Sequence, residues 1–369
     1  MNAPRFLFVV CQVGSERALK AELARQWPEF RFAFSRPGFA TFRLPEDHGL
    51  RDDFDLQSVF ARTFGFSLGE VTGQTAEEIA ESLWTLVGDR TVDHLHVWQR
   101  DLGVPGERGF EPGVTPLAAE IAKIIVDRRP PASTESLLPV NLVANSGSHI
   151  LDCVLVDPNQ WWIGFHRARA LPTRWPGGTP KIDLPPNAVS RAHLKMREAL
   201  LWSRLPVSRG DRCVEIGSSP GGSCQALLDH GLIVTGIDPA DMDDALIAHP
   251  NFTHVKARGA DLKRREFRGA KWLTADSNVA PKHTLDTVEH IVTNRQVNVR
   301  GMLLTLKLPD WKLAEAIPEY LDRVRSWGYG YVRARQLAYN RQEICVAALR
   351  RRAMRREPAR KENPARSEK

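Results

Sequence analysis

Cys213-Val214-Glu215-Ile216-Gly217-Ser218-Ser219-Pro220-Gly221-Gly222 reads as a short apolar strand, a glycine-rich turn and the start of a helix. Glycine lets the backbone approach a ligand closely, and the first N–H groups of a helix have no partners within it. The spacing is neither the Gly-x-Gly-x-x-Gly of a dinucleotide site nor the Gly-x-x-x-x-Gly-Lys-Ser/Thr of a phosphate loop. Asp238 closes the next apolar run, 21 residues after Gly217. A carboxylate there can accept hydrogen bonds from two ribose hydroxyls. The pair predicts a nucleoside ligand with no pyrophosphate at the turn, and S-adenosylmethionine fits that description. Binding contacts are expected at Gly217, Ser219, Pro220, Gly221, Gly222 and Asp238.

Around this turn the chain alternates. Strands are predicted at 213–217, 233–238, 253–256, 271–276, 302–307, 331–338 and 343–349, and helices at 191–202, 222–230, 241–248, 281–293 and 311–327. That order implies an α/β domain with a parallel sheet and an antiparallel hairpin at one edge. Upstream, residues 171–189 hold Pro172, Pro176, Gly177, Gly178, Pro180, Pro185 and Pro186 and read as a linker. Before it, a strand at 5–11, a helix at 15–27 and strands at 31–35 and 38–43 make a small α+β unit, taken as 1–55. A second unit, 56–170, opens with a strand at 64–71. Thr75-Ala76-Glu77-Glu78 forms a capping box ahead of a helix whose apolar face is Ile79, Leu83 and Leu86. Thr115-Pro116 starts another helix, and a hairpin turns at Asp157-Pro158-Asn159.

The 369 residues carry a net charge of +7. Nine Lys/Arg against three acids lie in 350–369, so the remaining body holds 42 basic and 41 acidic residues. Any nucleic-acid surface on the body must come from local segregation of charge. The end, 351–369, reads as a disordered basic tail, equally suited to solubility or to phosphate binding. Five scattered cysteines without a Cys-x-x-Cys fit a reducing compartment and exclude a disulfide framework or a structural zinc site. No apolar run approaches the roughly 20 residues of a membrane span. A cytoplasmic monomer is expected.

Four charged residues stand at matching places in the second half. Lys195 lies on the helix opened by Ser190-Arg191-Ala192, at the edge of the face made by Ala192, Met196, Ala199 and Leu200. Asp276 ends one strand, Lys307 ends another before Leu308-Pro309, and Glu343 begins the last. Ligands of open α/β sheets sit outside the carboxyl ends of the strands. With Ser190-Arg191-Ala192-x-x-Lys195, Pro220-Gly221-Gly222 and Leu306-Lys307-Leu308-Pro309, this half resembles the FtsJ group of S-adenosylmethionine-dependent ribose 2′-O-methyltransferases. The resemblance implies a Rossmann-like class I methyltransferase sheet over 190–350 and a catalytic Lys195–Asp276–Lys307–Glu343 tetrad. It also implies cofactor contacts that include Ser190 and Asp276. The whole chain is similar in order to the branch that methylates 23S ribosomal RNA, in which a ferredoxin-like unit and a THUMP-type RNA-binding domain precede the methyltransferase. Phe60-Ala61-Arg62 and Trp161-Trp162-Ile163-Gly164 are the anchors upstream. The implied partner is RNA, either 23S ribosomal RNA or a ribosome-assembly precursor. The implied chemistry makes Lys307 the base, its pKa lowered by burial and by Lys195 and opposed by Asp276 and Glu343.

The sequence departs from that pattern in three places. Glu215 opens the first motif instead of Asp, Ser218-Ser219 replaces small apolar residues, and Arg258 stands where an acid near the adenine is expected, with Asp261 the nearest acid. His94 and His96 share a strand face but lack a third ligand, so no metal site is assigned. Trp161-Trp162 offers a stacking surface or one core and one surface residue. Arg167, Arg169 and Arg174 beside Trp175 offer phosphate contacts or a solvated loop. The rival readings are an RNA-binding protein with a decayed methyltransferase fold, a 2′-O-methyltransferase for another RNA, and a nucleotide-dependent oxidoreductase, which the missing dinucleotide motif disfavours.

Overall fold

The protein's computed structural model describes residues 4–130, 137–258, 261 and 264–350, with 264 and 265 described by their backbone alone. The basic tail at 351–369 lies outside the described residues. Strand β1 (Phe6–Val10) is apolar on both sides because both are covered: Leu7 and Val9 enter one core, Phe8 and Val10 another. After it come α1 (Glu16–Gln26), β2 (Arg31–Arg36), β3 (Phe39–Arg43), β4 (Thr63–Thr72), α2 (Ala76–Val87), β5 (His94–Gln99), α3 (Pro116–Asp127), β6 (His149–Asp157) and β7 (Gln160–Arg167). The capping box closes as its sequence dictates, for Thr75 Oγ1 accepts from the Glu78 N–H at 3.2 Å and Glu78 Oε2 accepts from the Gln74 N–H at 3.0 Å. Thr115 caps α3 in the same manner.

The strands form one sheet in the order β2-β3-β1-β4-β7-β6-β5, antiparallel except between β5 and β6. Strand β1 pairs with β3 on one side and β4 on the other, so the sheet runs across the boundary drawn at 55/56. The expected linker also proves to be packed. Trp175, Pro176, Gly177, Gly178 and Thr179 are buried, in two short 3₁₀ turns and just after them. Gly177 has φ +58°, and a Cβ there would lie 2.9 Å from the Trp98 ring, so the backbone rests directly on the indole. Proline and glycine at this point serve close approach rather than reach.

The second half begins with α4 (Ala192–Ser203). It continues through β8 (Arg212–Ile216), α5 (Gly222–Asp229), β9 (Ile233–Ile237), α6 (Asp244–Ile247), β10 (Phe252–Val255), β11 (Trp272–Ala275), α7 (Pro281–Val292), β12 (Gly301–Lys307), α8 (Ile317–Ser326), β13 (Tyr331–Arg335) and β14 (Glu343–Leu349). Its sheet has the order β10-β9-β8-β11-β12-β14-β13, parallel but for the antiparallel β14, which joins β12 to β13. This is the parallel sheet with an edge hairpin that the alternation predicted. Three elements differ. The helix over 311–327 divides into a 3₁₀ stretch, Trp311–Ala316, and α8, with Pro318 in the first turn of α8. Helix α6 is a single turn. Strand β13 stops at Arg335, because the Gln336 N–H turns away to donate to Val59 O of the first half.

The halves lock at this point. The Arg335 guanidinium donates to Ala61 O and Arg62 O, and Phe60 meets Trp311 edge-on at 6.1 Å. Arg62 itself is buried against Asp101 and donates from Nε to Gly177 O at 2.9 Å. The anchor Phe60-Ala61-Arg62 is therefore the hinge plate on which both sheets sit.

Candidate active site

Glycines bring three segments together at the carboxyl end of β8. A Cβ on Gly217 would lie 2.5 Å from Ser277 Oγ, and one on Gly222 would lie 2.2 Å from Ser190 Oγ. Gly217 and Gly221 have φ +76° and +126°, backbone that glycine alone adopts freely. The turn thus fits between the segment before α4 and the end of β11. Ser219-Pro220 is joined by a cis peptide bond. Asp238, at the end of β9, reaches back to the turn: Oδ2 accepts from the Ser219 N–H at 3.1 Å and Oδ1 from the Ala240 N–H at 2.9 Å. A carboxylate has about four lone-pair directions, so this half-buried group keeps capacity for ribose hydroxyls. The free carboxylate capacity of Asp238 and the open backbone of the turn fit a nucleoside-bearing cofactor. Arg258 and Asp261 are both exposed, and the Asp261 N–H donates to Arg258 O.

Beside the turn, the four charged residues meet. The Asp276 N–H continues the ladder to Ile216 O, which fixes this carboxylate one residue past β11. Lys307, the last residue of β12, stands directly opposite Glu343, the first of β14. Lys195 arrives from α4. Its Nζ lies 2.6 Å from Asp276 Oδ2 and 3.1 Å from Glu343 Oε1. Lys307 Nζ lies 2.8 Å from Asp276 Oδ1 and also contacts Glu343 Oε2. The result is a ring in which cation and anion alternate.

Burial opposes the charge on Lys195, but Asp276 and Glu343 outweigh it and move its pKa up. Burial likewise works against the Asp276 carboxylate, and the two lysines nonetheless hold it below its usual range. Each lysine thus contacts both carboxylates, the two groups expected to oppose the effect of Lys195 on Lys307. Behind the ring, Glu215 is fully buried. Burial pushes its carboxyl up to about 7, against a hydrogen bond from Ser223 Oγ at 2.8 Å and with a contribution from Asp276.

Several supporting residues carried no sequence signal. Glu198 is wholly buried on α4 and accepts from the Ala338 and Tyr339 N–H groups at 2.9 and 3.0 Å. It ties the helix of Lys195 to the connection that delivers Glu343. Helix α4 is covered on more sides than its apolar stripe implied, with His193, Leu194 and Glu198 buried as well. From the first half, Gln12 Nε2 donates to Asn340 O at 2.9 Å, and Arg341 donates to Pro105 O and Gly106 O. Arg191 pairs with Glu111. Residues 101–113, which composition marks only as a loop, therefore brace the connection between β13 and β14.

The remaining candidates separate. Trp161 is in the core, while Trp162 is half-buried and stacks on Phe34 at 5.6 Å. His96 Nε2 lies 3.0 Å from Leu142 O, and burial pushes its pKa down to about 3. Among the described residues no group of three metal-ligating side chains assembles. Arg167 and Arg174 are held by backbone carbonyls of Gly147 and Ala144, whereas Arg169 is exposed beside Asp53.

Residues 188–314 match the family described as FtsJ-like methyltransferase. Relatives named Ribosomal RNA large subunit methyltransferase M include one from Halorhodospira halophila, 28% identical over 92% of this chain and 95% of that protein. Another, from Azoarcus sp., is 32% identical over 46% of this chain and 48% of its own length. A likeness among solved structures, a possible methylase from Clostridium difficile 630, spans 96% of this chain at 10% identity with a TM-score of 0.36. The glycine turn, Asp238, Lys195, Asp276 and Lys307 all lie within the stretch similar to FtsJ-like methyltransferases, whose methyl donor is S-adenosylmethionine.

Proposed function

We propose that the protein methylates a ribose 2′-hydroxyl of large-subunit (23S) ribosomal RNA, with Lys195, Asp276, Lys307 and Glu343 as its catalytic residues. The observation that carries this reading is the convergence of those four side chains at strand ends beside the glycine turn. The names of the relatives support the RNA. S-adenosylmethionine supplies an electrophilic methyl group on a sulfonium. Bound there, it would give that methyl to the ribose oxygen and leave as the thioether, while the hydroxyl proton would pass to Lys307 Nζ in its neutral form. Orientation contributes most, since fixing both reactants makes the step effectively unimolecular. Asp276 and Glu343 hold the lysines in place, and Lys195 compensates the carboxylates while Lys307 is neutral. Ser190, Gly217, Ser219, Pro220, Gly221, Gly222 and Asp238 hold the cofactor. Residues 1–170 provide the RNA-binding portion, and the enzyme acts as a cytoplasmic monomer. Among the described residues no helix is long and apolar enough to cross a membrane.

Transfer of labelled methyl to ribosomal RNA or its precursor particles tests this. The product is a single linkage resistant to alkaline cleavage, absent with Lys307→Ala. Cofactor binding without transfer to any large-subunit RNA would overturn the substrate assignment, and transfer to a base instead of a ribose would overturn the reaction.

A further inference from the structure

A small cavity of about 20 Å³ adjoins the charged ring, lined by Lys195 and Asp276 from the ring and by Ser223, Thr305 and Asn340. A single water needs about 10–15 Å³ of such volume and two to four polar partners. The polar groups here are unevenly satisfied. Asn340 is 1% exposed, and its Oδ1 is buried without a hydrogen-bond partner among the described residues. Lys195 has three N–H bonds, of which two are directed at Asp276 and Glu343. Asp276 Oδ1 faces Lys307 at 2.8 Å without the alignment of a hydrogen bond. An acceptor in need of a donor thus shares a cavity with a donor in need of an acceptor.

We propose that this cavity binds one structural water, which accepts from Lys195 and donates to Asn340 Oδ1, and that Asn340 is a positioning residue for the ring. Water suits the site because it gives and takes a hydrogen bond at once. A cation would face the ammonium of Lys195, and an anion the carboxylate of Asp276. Met196, Leu303 and Leu337 supply the apolar walls that confine it. The same asparagine is gripped from the other side, where Gln12 of the first half donates to its backbone oxygen at 2.9 Å. Through the water, the docking of the two halves reaches the ammonium group of Lys195.

The test combines a crystal structure of the full chain at a resolution that shows ordered water with two substitutions. The structure is expected to show density between Lys195 and Asn340, whichever RNA is the substrate; a dry cavity overturns the proposal. Asn340→Leu keeps the branched shape and number of heavy atoms and removes the acceptor, whereas Asn340→Ser is smaller, keeps a hydroxyl and leaves room for a second water. The kinetic arm rests on the reading of RNA methylation. It predicts that N340L lowers kcat at least tenfold, that N340S retains at least fivefold more kcat than N340L, and that cofactor affinity and KM for RNA stay unchanged. Equal losses, or a better-preserved N340L, would mean that Asn340 only fills space and would overturn its positioning role. Absence of turnover in the unaltered protein counts against the proposed function, while the density still decides the water.

Discussion

Two clusters of buried charge can be set side by side. The Arg62–Asp101 pair at the junction of the halves is sealed, with side chains 4% and 3% exposed. Each nitrogen of the Arg62 guanidinium has a partner in Asp101 or in Gly177 O. The ring of Lys195, Asp276, Lys307 and Glu343 has the same kinds of group, but three of its members are 15–21% exposed and it borders a glycine turn. One cluster is sealed, with a partner in the fold for every guanidinium nitrogen; the other keeps solvent access beside the glycine turn. Charge inside a protein is therefore a poor guide to chemistry on its own. Its access to solvent separates the two roles.

Swapping the readouts would break this division. Lys307→Ala is expected to lower methyl transfer by a factor on the order of 10²–10⁴, the range for a general base, with thermal stability and calorimetric cofactor affinity unchanged. Arg62→Met is expected to do the reverse, costing about 3–5 kcal/mol in urea unfolding because it strands Asp101. Its residual turnover should follow the folded fraction. A stable Arg62→Met with no turnover would place that pair in the catalytic apparatus. Gly222→Ala sharpens the contrast, since its Cβ would press on Ser190. Cofactor affinity should fall about tenfold, or roughly 1.4 kcal/mol, in a calorimetric titration.

The smallest effect concerns another sealed pair in the first half. His166 Nδ1 lies 2.6 Å from Asp152 and Nε2 lies 2.7 Å from Thr173 O, so both ring nitrogens face acceptors. Burial opposes the charge on His166, and Asp152 outweighs it and raises the histidine; burial raises Asp152 as well. The folded chain thus holds its proton more tightly than the unfolded chain. The stabilisation is whole below the unfolded histidine value of about 6.5 and is lost as pH rises through the folded value. Unfolding free energy should fall by up to about 1.4 kcal/mol per pH unit over that window. The doubly apolar variant His166→Leu/Asp152→Leu should lack this slope.

What could be read from the sequence follows from how locally each feature is encoded. The strand–turn–helix at 213–222 and the caps at Thr75 and Thr115 depend on neighbours within a few residues, and they form as written. Asp276, Lys307 and Glu343 were legible because they stand at strand ends, and Lys195 because it lies at the edge of a helix's apolar face. That Lys307 faces Glu343 was not, since the pairing of β12 with β14 is set across 36 positions by tertiary packing. Glu198 was invisible because a carboxylate on a helix normally faces water, and only the two N–H groups of the 338–339 connection explain its burial. The stretch 171–180 was misread because proline and glycine report backbone shape, which close packing and free linkers share. That one seven-stranded sheet joins the two expected units was not legible, because pairing on both edges of β1 leaves no signature in β1 itself.

The braces between the halves have a geometric consequence. Gln12, Val59, Pro105, Gly106 and Glu111 all grip the segment that runs from Gln336 to Arg341 or the start of α4. The first sheet and the edge of the second that carries the charged ring are therefore held at a set separation, as the fixed jaws of one frame.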